Sequence, residues 1–273
     1  MLDLLKIEWL KIKKYIAFIL LSSFFVVGVV ATNYIVYVVK TKVIDQVLGS
    51  QLLFSGSPFA FDLVWQTVSY YSSFFLMLPA LLLVILMTNE YSFKTHRQNI
   101  IDGWSRFEFL KVKLALAVIF AVVSTLVIII TALIFGFASG SSFALTGFEN
   151  VGYFLLKAIT YNMVAILVCV LTKRSGIAIA IFFIYTILEN GISVLLFLLA
   201  LQIKRDNGTD LGNLGNYLPM NASDGLLTSP FERFSNMAKE IPENYNMVVL
   251  AFALGYVVLF YFWTKRKFSN ADL

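Results

Sequence analysis

Charge is scarce in this chain. Of its 273 residues 14% are Asp, Glu, Lys or Arg, where a soluble domain has about a quarter. Cysteine is scarcer still: Cys169 is the single thiol, so no internal disulfide forms, and within an apolar run it reads as a small hydrophobe. His96 is the single histidine, which removes His-containing metal clusters and any Ser–His pair inside a membrane. Ser55–Gly56 and Ser139–Gly140 look like nucleophile loops but have no base beside them. No Gly-Lys dipeptide occurs, so the phosphate-cradling loop that ends in Gly-Lys-Ser/Thr is missing, and the chain does not hold ATP in that way. These gaps argue against an enzyme, a resident cofactor, a metal centre and a nucleic-acid reader.

What is abundant is apolar. Hydrophobic residues make up 59% and aromatics 16%, and the mean hydropathy is +0.83. A water-soluble fold would leave large apolar areas exposed, so the class is an all-α integral membrane protein. Six runs are long enough to cross a bilayer, at about 20 residues each: residues 15–39, 68–88, 114–137, 151–171, 177–201 and 247–263. The backbone must satisfy its own hydrogen bonds in lipid, and no alternating strand pattern is present, so these are expected to be helices. The first run is longer than a signal peptide's apolar core and is read as a span, not a cleaved leader.

Charge placement sets the expected orientation. Fourteen of the 21 basic residues lie before the first run, in residues 89–113, in the turn after the fourth run and in the tail. By the positive-inside rule those segments are cytoplasmic, with both termini, in the inner (cytoplasmic) membrane of a cell. The opposite side carries the turn-rich segment 202–246, where LLTSPFERFSNMAKEI has the pattern of a short helix starting near Thr228–Ser229, the alternative being a solvated loop. Residues 1–14 are expected to form an amphipathic helix on the cytoplasmic leaflet. Leu2, Leu5, Trp9, Ile12 and Ile16 form its apolar stripe, and Asp3, Lys6, Glu8 and four lysines in all occupy most of the rest.

Two features carry functional weight. Glu189 is the acid deep within a run, in IFFIYTILENGISVLLF. A buried acid is costly in lipid, which makes it a candidate for a translocation cavity. Polar neighbours Asn190, Asn162 and Tyr161 are its expected partners, and the alternative is a structural hydrogen bond between helices. The second feature is NEYSFKTHRQNIIDGWSRFEFLKVK, residues 89–113. It reads as a short helix from Ser92 to Ile101, a turn at Asp102–Gly103, and a capping box, Ser105-Arg106-Phe107-Glu108, that launches the third run. Ile100, Ile101, Trp104, Phe107 and Phe109 put apolar anchors in a polar rim, as a docking site for another protein requires.

Glu90, Thr95, Arg97, Gly103, Ser105, Arg106 and Lys111 stand in an order that resembles the permeases of ATP-binding-cassette exporters of the second type. The sequence of elements resembles that family along nearly the whole chain, except that Asp102–Gly103 stands where the family often has a proline turn. The resemblance implies that residues 89–113 hold a cytoplasmic coupling helix seated in a separate ATPase subunit. The docking residues would then be Glu90, Thr95, His96, Arg97, Gln98, Ile100, Ile101, Asp102, Gly103, Trp104 and Arg106. It further implies two ATPase copies carrying ATP and Mg, and a second permease copy, as a homodimer, to complete the pathway. The same resemblance places the cavity wall at Tyr70, Tyr71, Phe74, Phe75, Asn162, Glu189 and Asn190, suited to an amphiphilic substrate. From the residues alone, an ATP-independent carrier or a non-transporting scaffold that recruits a cytosolic factor remains open.

Overall fold

The structure, a computed structural model, describes residues 2–39, 57–93, 95, 101, 105–230 and 244–270. Among the described residues it is all helix: α1 (Leu2–Ile12), α2 (Ile16–Val38), α3 (Val64–Ser73), α4 (Met77–Ser92), α5 (Arg106–Ala138), α6 (Glu149–Thr172), α7 (Ser175–Asn207), the single turn α8 (Asn221–Asp224) and α9 (Tyr245–Ser269). Six units are long and apolar enough to cross a membrane: α2, α3 with α4, α5, α6, α7 and α9. They return the chain to the face where it began, called here the terminal face.

The second span shows how proline shapes such a helix. It is one unit from Val64 to Ser92, but Phe74–Leu76 tightens into 3-10 geometry. Pro79 has no N–H to give the carbonyl of Phe75 four residues earlier, and its ring crowds that turn. A single run at 68–88 is therefore replaced by two helices in series. The third span starts earlier than its apolar run because the capping box starts it. Ser105 Oγ accepts from the Glu108 backbone N–H at 3.1 Å, and Glu108 accepts from the Ser105 N–H at 2.8 Å. The fifth span outlasts its apolar run by a turn and a half, ending at Asn207 with Gly208 left-handed at φ 70°. Glycine suits that position because it lacks the Cβ that makes such a φ costly.

Burial singles out α6. In its most apolar stretch 78% is buried inside the protein, against 17–22% for α2, α7 and α9. It packs against α3, α4, α5, α7 and α9, so it is the hub around which the others stand. Lipid is as apolar as leucine and drives no such assembly by itself. What holds the hub is close packing together with polar bonds between helices. Asn162 on α6 donates to the carbonyl of Ala117 on α5 at 2.8 Å, and Cys169 is buried as a plain hydrophobe against α4. At the far end of α5, Gly136 lets Phe61 close the bundle. A Cβ built there would stand 2.6 Å from the Phe61 ring, which also meets Phe137 and Phe143 edge-on.

α1 sits differently from its expected stripe. Leu5 and Ile12 do face the bundle, but Glu8 is buried beside them at 2% exposure while Trp9 and Leu10 are more than half exposed. Glu8 was grouped with the polar face; it lies on the packed one. Spacing still explains the outcome, since 5, 8 and 12 fall on one side of a helix. The reason for turning Glu8 inward is the cation it meets.

Candidate functional site

That cation is Lys113, on the second turn of α5. Its Nζ lies 2.6 Å from Glu8 Oε2 on α1 and 2.7 Å from Glu90 Oε1 near the end of α4, with all three side chains at most 10% exposed. Lys11 adds bonds to Glu8 at 3.0 Å and to Glu90 at 3.4 Å from a more exposed position. Lys113, Glu8 and Glu90 are desolvated, and each is offset by opposite charge in contact, the condition under which buried ions persist. Burial alone would raise the Glu8 carboxyl, but Lys113 and then Lys11 outweigh it and hold the pKa below the ordinary range. Lys11 moves the other way: burial opposes its charge, yet Glu90 and Glu8 raise it.

The cluster ties α1 to both helices that flank residues 89–113. The neighbouring contacts stiffen the same corner. Tyr15 Oη accepts from Asn89 Nδ2 at 2.9 Å, and Phe109 stacks on Phe268 of α9 with the ring planes 6° apart. Of the docking residues named from sequence, Glu90 is thus a buried structural ion. Thr95 is helical and exposed, with a 3.5 Å contact from its hydroxyl to the Glu90 carbonyl. Ile101 is helical and 83% exposed, and Arg106 opens α5. His96, Arg97, Gln98, Ile100, Asp102, Gly103 and Trp104 lie outside the described residues, as does the Asp102–Gly103 turn. Ser92 does not start a new helix. It belongs to the last turn of α4, and its hydroxyl bonds back to the Thr88 carbonyl at 3.1 Å, a common local alternative for serine.

A second polar group lies in the far half of the bundle, and the chain after α7 builds it. Residues 213–228 turn back among the helices as a short insert, with Met220, Ala222, Ser223, Leu226 and Leu227 all buried. Gly215 admits it, for a Cβ there would overlap Ser193 of α7. Glu189 Oε1 accepts from the backbone N–H of Met220 at 2.5 Å and of Asn221 at 2.9 Å, and from Asn221 Nδ2 at 3.3 Å. Its expected partners bond elsewhere: Asn190 to Thr186 on its own helix, Asn162 to Ala117, and Tyr161 to Asp224 at 3.0 Å. Asp224 also pairs with Lys157 at 3.3 Å, and Lys157 in turn reaches Ser73 Oγ at 3.1 Å. Gln66 adds a bond to Thr228 Oγ1 at 2.9 Å, and Tyr256 Oη donates to the Tyr217 carbonyl at 2.8 Å. The insert is therefore pinned to four spans.

Lys157 was legible as an isolated lysine in an apolar run, yet the sequence reading passed over it. The aromatic candidates form a group apart from Glu189. Tyr70 meets Tyr71 and Phe74 edge-on at 5.3 and 5.5 Å, and Phe74 is 61% exposed. Phe75 packs on Gly28 of α2, where a Cβ would stand 2.3 Å from its ring. Within one chain Phe75 meets α2 and Phe74 the outside, while Glu189 and Asn190 stand on α7. Among the described residues no cluster of His, Cys, Asp or Glu is arranged to hold a metal. Compared with known proteins, the chain matches no family model and no curated protein.

Proposed function

We propose that this chain is the membrane subunit of an exporter whose power stroke comes from a separate ATPase subunit docked on residues 89–113. The observation that carries the reading is Lys113, bonded at once to Glu8 and Glu90. A docking element at the tip of a hairpin transmits movement when its two helices move as one body. Here both legs of the hairpin are joined through one buried ammonium, which also recruits α1. A push on Ile101 and its neighbours is delivered to α1, α4 and α5 together.

At the opposite end the insert of residues 213–228 is the natural outward gate in this reading. It blocks the far half of the bundle through bonds that a tilt of α6 against α7 breaks in concert, since Asp224 is held from α6 and Met220 and Asn221 from α7. Glu189 then acts by holding the gate shut. Alternating access follows: ATP binding on the partner pair moves the terminal-face lever, the gate bonds give way, and an amphiphilic substrate leaves. A second copy of the chain supplies the other wall of the pathway.

The test is co-purification. The tagged chain is expressed in its native cell, solubilised in mild detergent and pulled down, and a P-loop ATPase is sought among the retained proteins. The expected result is a complex that survives washing, that Arg97→Glu combined with Ile101→Asp disrupts, and whose ATP turnover falls with it. A chain that never retains an ATPase, or whose cellular activity ignores those two substitutions, overturns the proposal and favours a scaffold or an ATP-independent carrier.

A further inference from the structure

A crevice of about 300 Å³ opens between α1, α2, α4 and α5 near the terminal face, away from the insert; Leu5 and Ile12, on either side of Glu8, line it, while the ionic residues themselves do not. Leu5, Trp9 and Ile12 of α1 lie at one end, and Phe25 of α2 with Val127 of α5 at the other. From Leu116 to Val127 along α5 the lining extends over eleven helical steps, about 16 Å at the helical rise. Its wall is almost wholly apolar, with Ser22 and Ser124 the hydroxyl-bearing residues. Val26, Ile119 and Val123 at its edge are more than 40% exposed, so it opens sideways, where the outer faces of the spans meet lipid.

The chain that leads on from the lining at Ile12 is chemically different. Lys13 and Lys14 follow directly on Ile12, in the turn that leads into α2, and both are exposed. Among the described residues neither has a carboxylate partner, whereas Lys6 and Lys11 do. Trp9, an amphipathic ring suited to the headgroup layer, stands at the rim at 54% exposure. A long apolar slot oriented along the span, with two exposed lysines next in the chain to its headgroup end, matches the two halves of one molecule. We infer that the crevice is a binding site for a glycerophospholipid with an anionic headgroup, one acyl chain lying in the slot and the phosphate at Lys13 and Lys14. A flat helix face from a second copy would leave the slot unfilled and the lysines without partners. The inference does not depend on what the protein exports.

The experiment uses the full chain in nanodiscs of phosphatidylcholine mixed with phosphatidylglycerol, released into the gas phase and weighed with its retained lipid. Wild type is expected to keep phosphatidylglycerol in preference to phosphatidylcholine. Lys13→Gln with Lys14→Gln should abolish that preference, a change on the order of tenfold for two lysines beside an anionic surface. Ser22→Trp, which fills the slot, should lose the retained lipid altogether, while Val27→Trp on the outer face of α2 should keep it. Equal retention in Ser22→Trp and wild type means annular lipid only and overturns the inference. So does a high yield of disulfide-linked dimer from Ser22→Cys in membranes, which puts a second copy in the slot. The surface lysine pair keeps the test decisive where Ser22→Trp fails to fold.

Discussion

Replacing Lys113 by Met removes one ammonium and leaves two carboxylates, Glu8 and Glu90, buried and facing each other. Breaking a buried ion pair by deleting one partner costs about 3–5 kcal/mol, because the orphaned charge stays desolvated. Lys11 still reaches both acids at 3.0 and 3.4 Å, so the lower end, about 3 kcal/mol, is expected. Against a total stability of about 5–15 kcal/mol that is a large fraction. The loss is concentrated in α1, which becomes accessible to protease at Lys6 and Lys11 while the six spans persist. The assay is reversible unfolding in mixed micelles, paired with limited proteolysis. The triple variant Glu8→Met, Glu90→Met, Lys113→Met supplies the control: with every buried charge gone, stability should return to within about 1 kcal/mol of wild type, as in other buried-ion replacements. If Lys113→Met loses less than about 1 kcal/mol, the cluster has the worth of a surface pair and the lever has no rigid joint. If the triple variant is as unstable as the single, packing and not charge holds α1, and the reasoning is wrong.

The same cluster predicts an acid response. The Glu8 carboxyl is held below its ordinary value, so its contribution is present above the usual carboxylate range and is lost as pH falls through the lowered folded value; Lys11 is raised, and its smaller, partly solvated share is lost only at strongly alkaline pH. The protection of α1 against hydrogen exchange, after correction for the intrinsic pH dependence of the rate, should therefore be flat around neutrality and fall on acidification, and Glu8→Gln should remove the acid transition. Glu189→Leu takes the acceptor from two buried N–H groups, and exchange at Met220 and Asn221 should rise by roughly ten- to a hundredfold at about 1–3 kcal/mol for a buried donor left unsatisfied, while Glu189→Gln should give much of that back. Lys157→Met should likewise free Asp224 and loosen residues 213–228, read as faster exchange in that segment with α1 unchanged. Gly136→Ala should cost about 1–3 kcal/mol by overpacking against Phe61, whereas Gly152→Ala, where a Cβ meets open space, should be neutral or stabilising by up to about 1 kcal/mol.

Local rules carried the sequence reading where the neighbours on the chain decide the outcome. Apolar run length located all six spans but left some helix ends six to eight residues short, and the Ser105–Glu108 pattern named a cap formed as drawn, because its two partners are three residues apart. It fell short where a partner comes from far along the chain. Glu8 looks like one more charge on an amphipathic helix until Lys113, 105 residues away, turns it inward. Glu189 has polar neighbours near it in sequence and on the adjacent span, yet it bonds to backbone N–H groups 31 and 32 residues on. Backbone donors are the same in every residue, so composition cannot flag them. The insert was hidden for the same reason: segment 202–246 has the glycines and prolines of a solvated loop, and its burial depends on Gly215 meeting Ser193 and on Lys157 waiting in α6. A lysine in an apolar run was the available signal, and it pointed to Asp224.

The proposed docking of an ATPase on residues 89–113 is tested most directly at Ile101. Ile101 stands out from the protein there at 83% exposure, so a photo-crosslinking amino acid in its place samples whatever docks. In intact cells the account predicts an adduct with a P-loop ATPase subunit whose yield changes when the ATPase is locked in its ATP-bound state by a hydrolysis-blocking substitution. The same probe at Phe143, exposed at the opposite end of the bundle, should give no such adduct. Crosslinks from Ile101 to lipid alone, or to a partner that does not bind nucleotide, would contradict it.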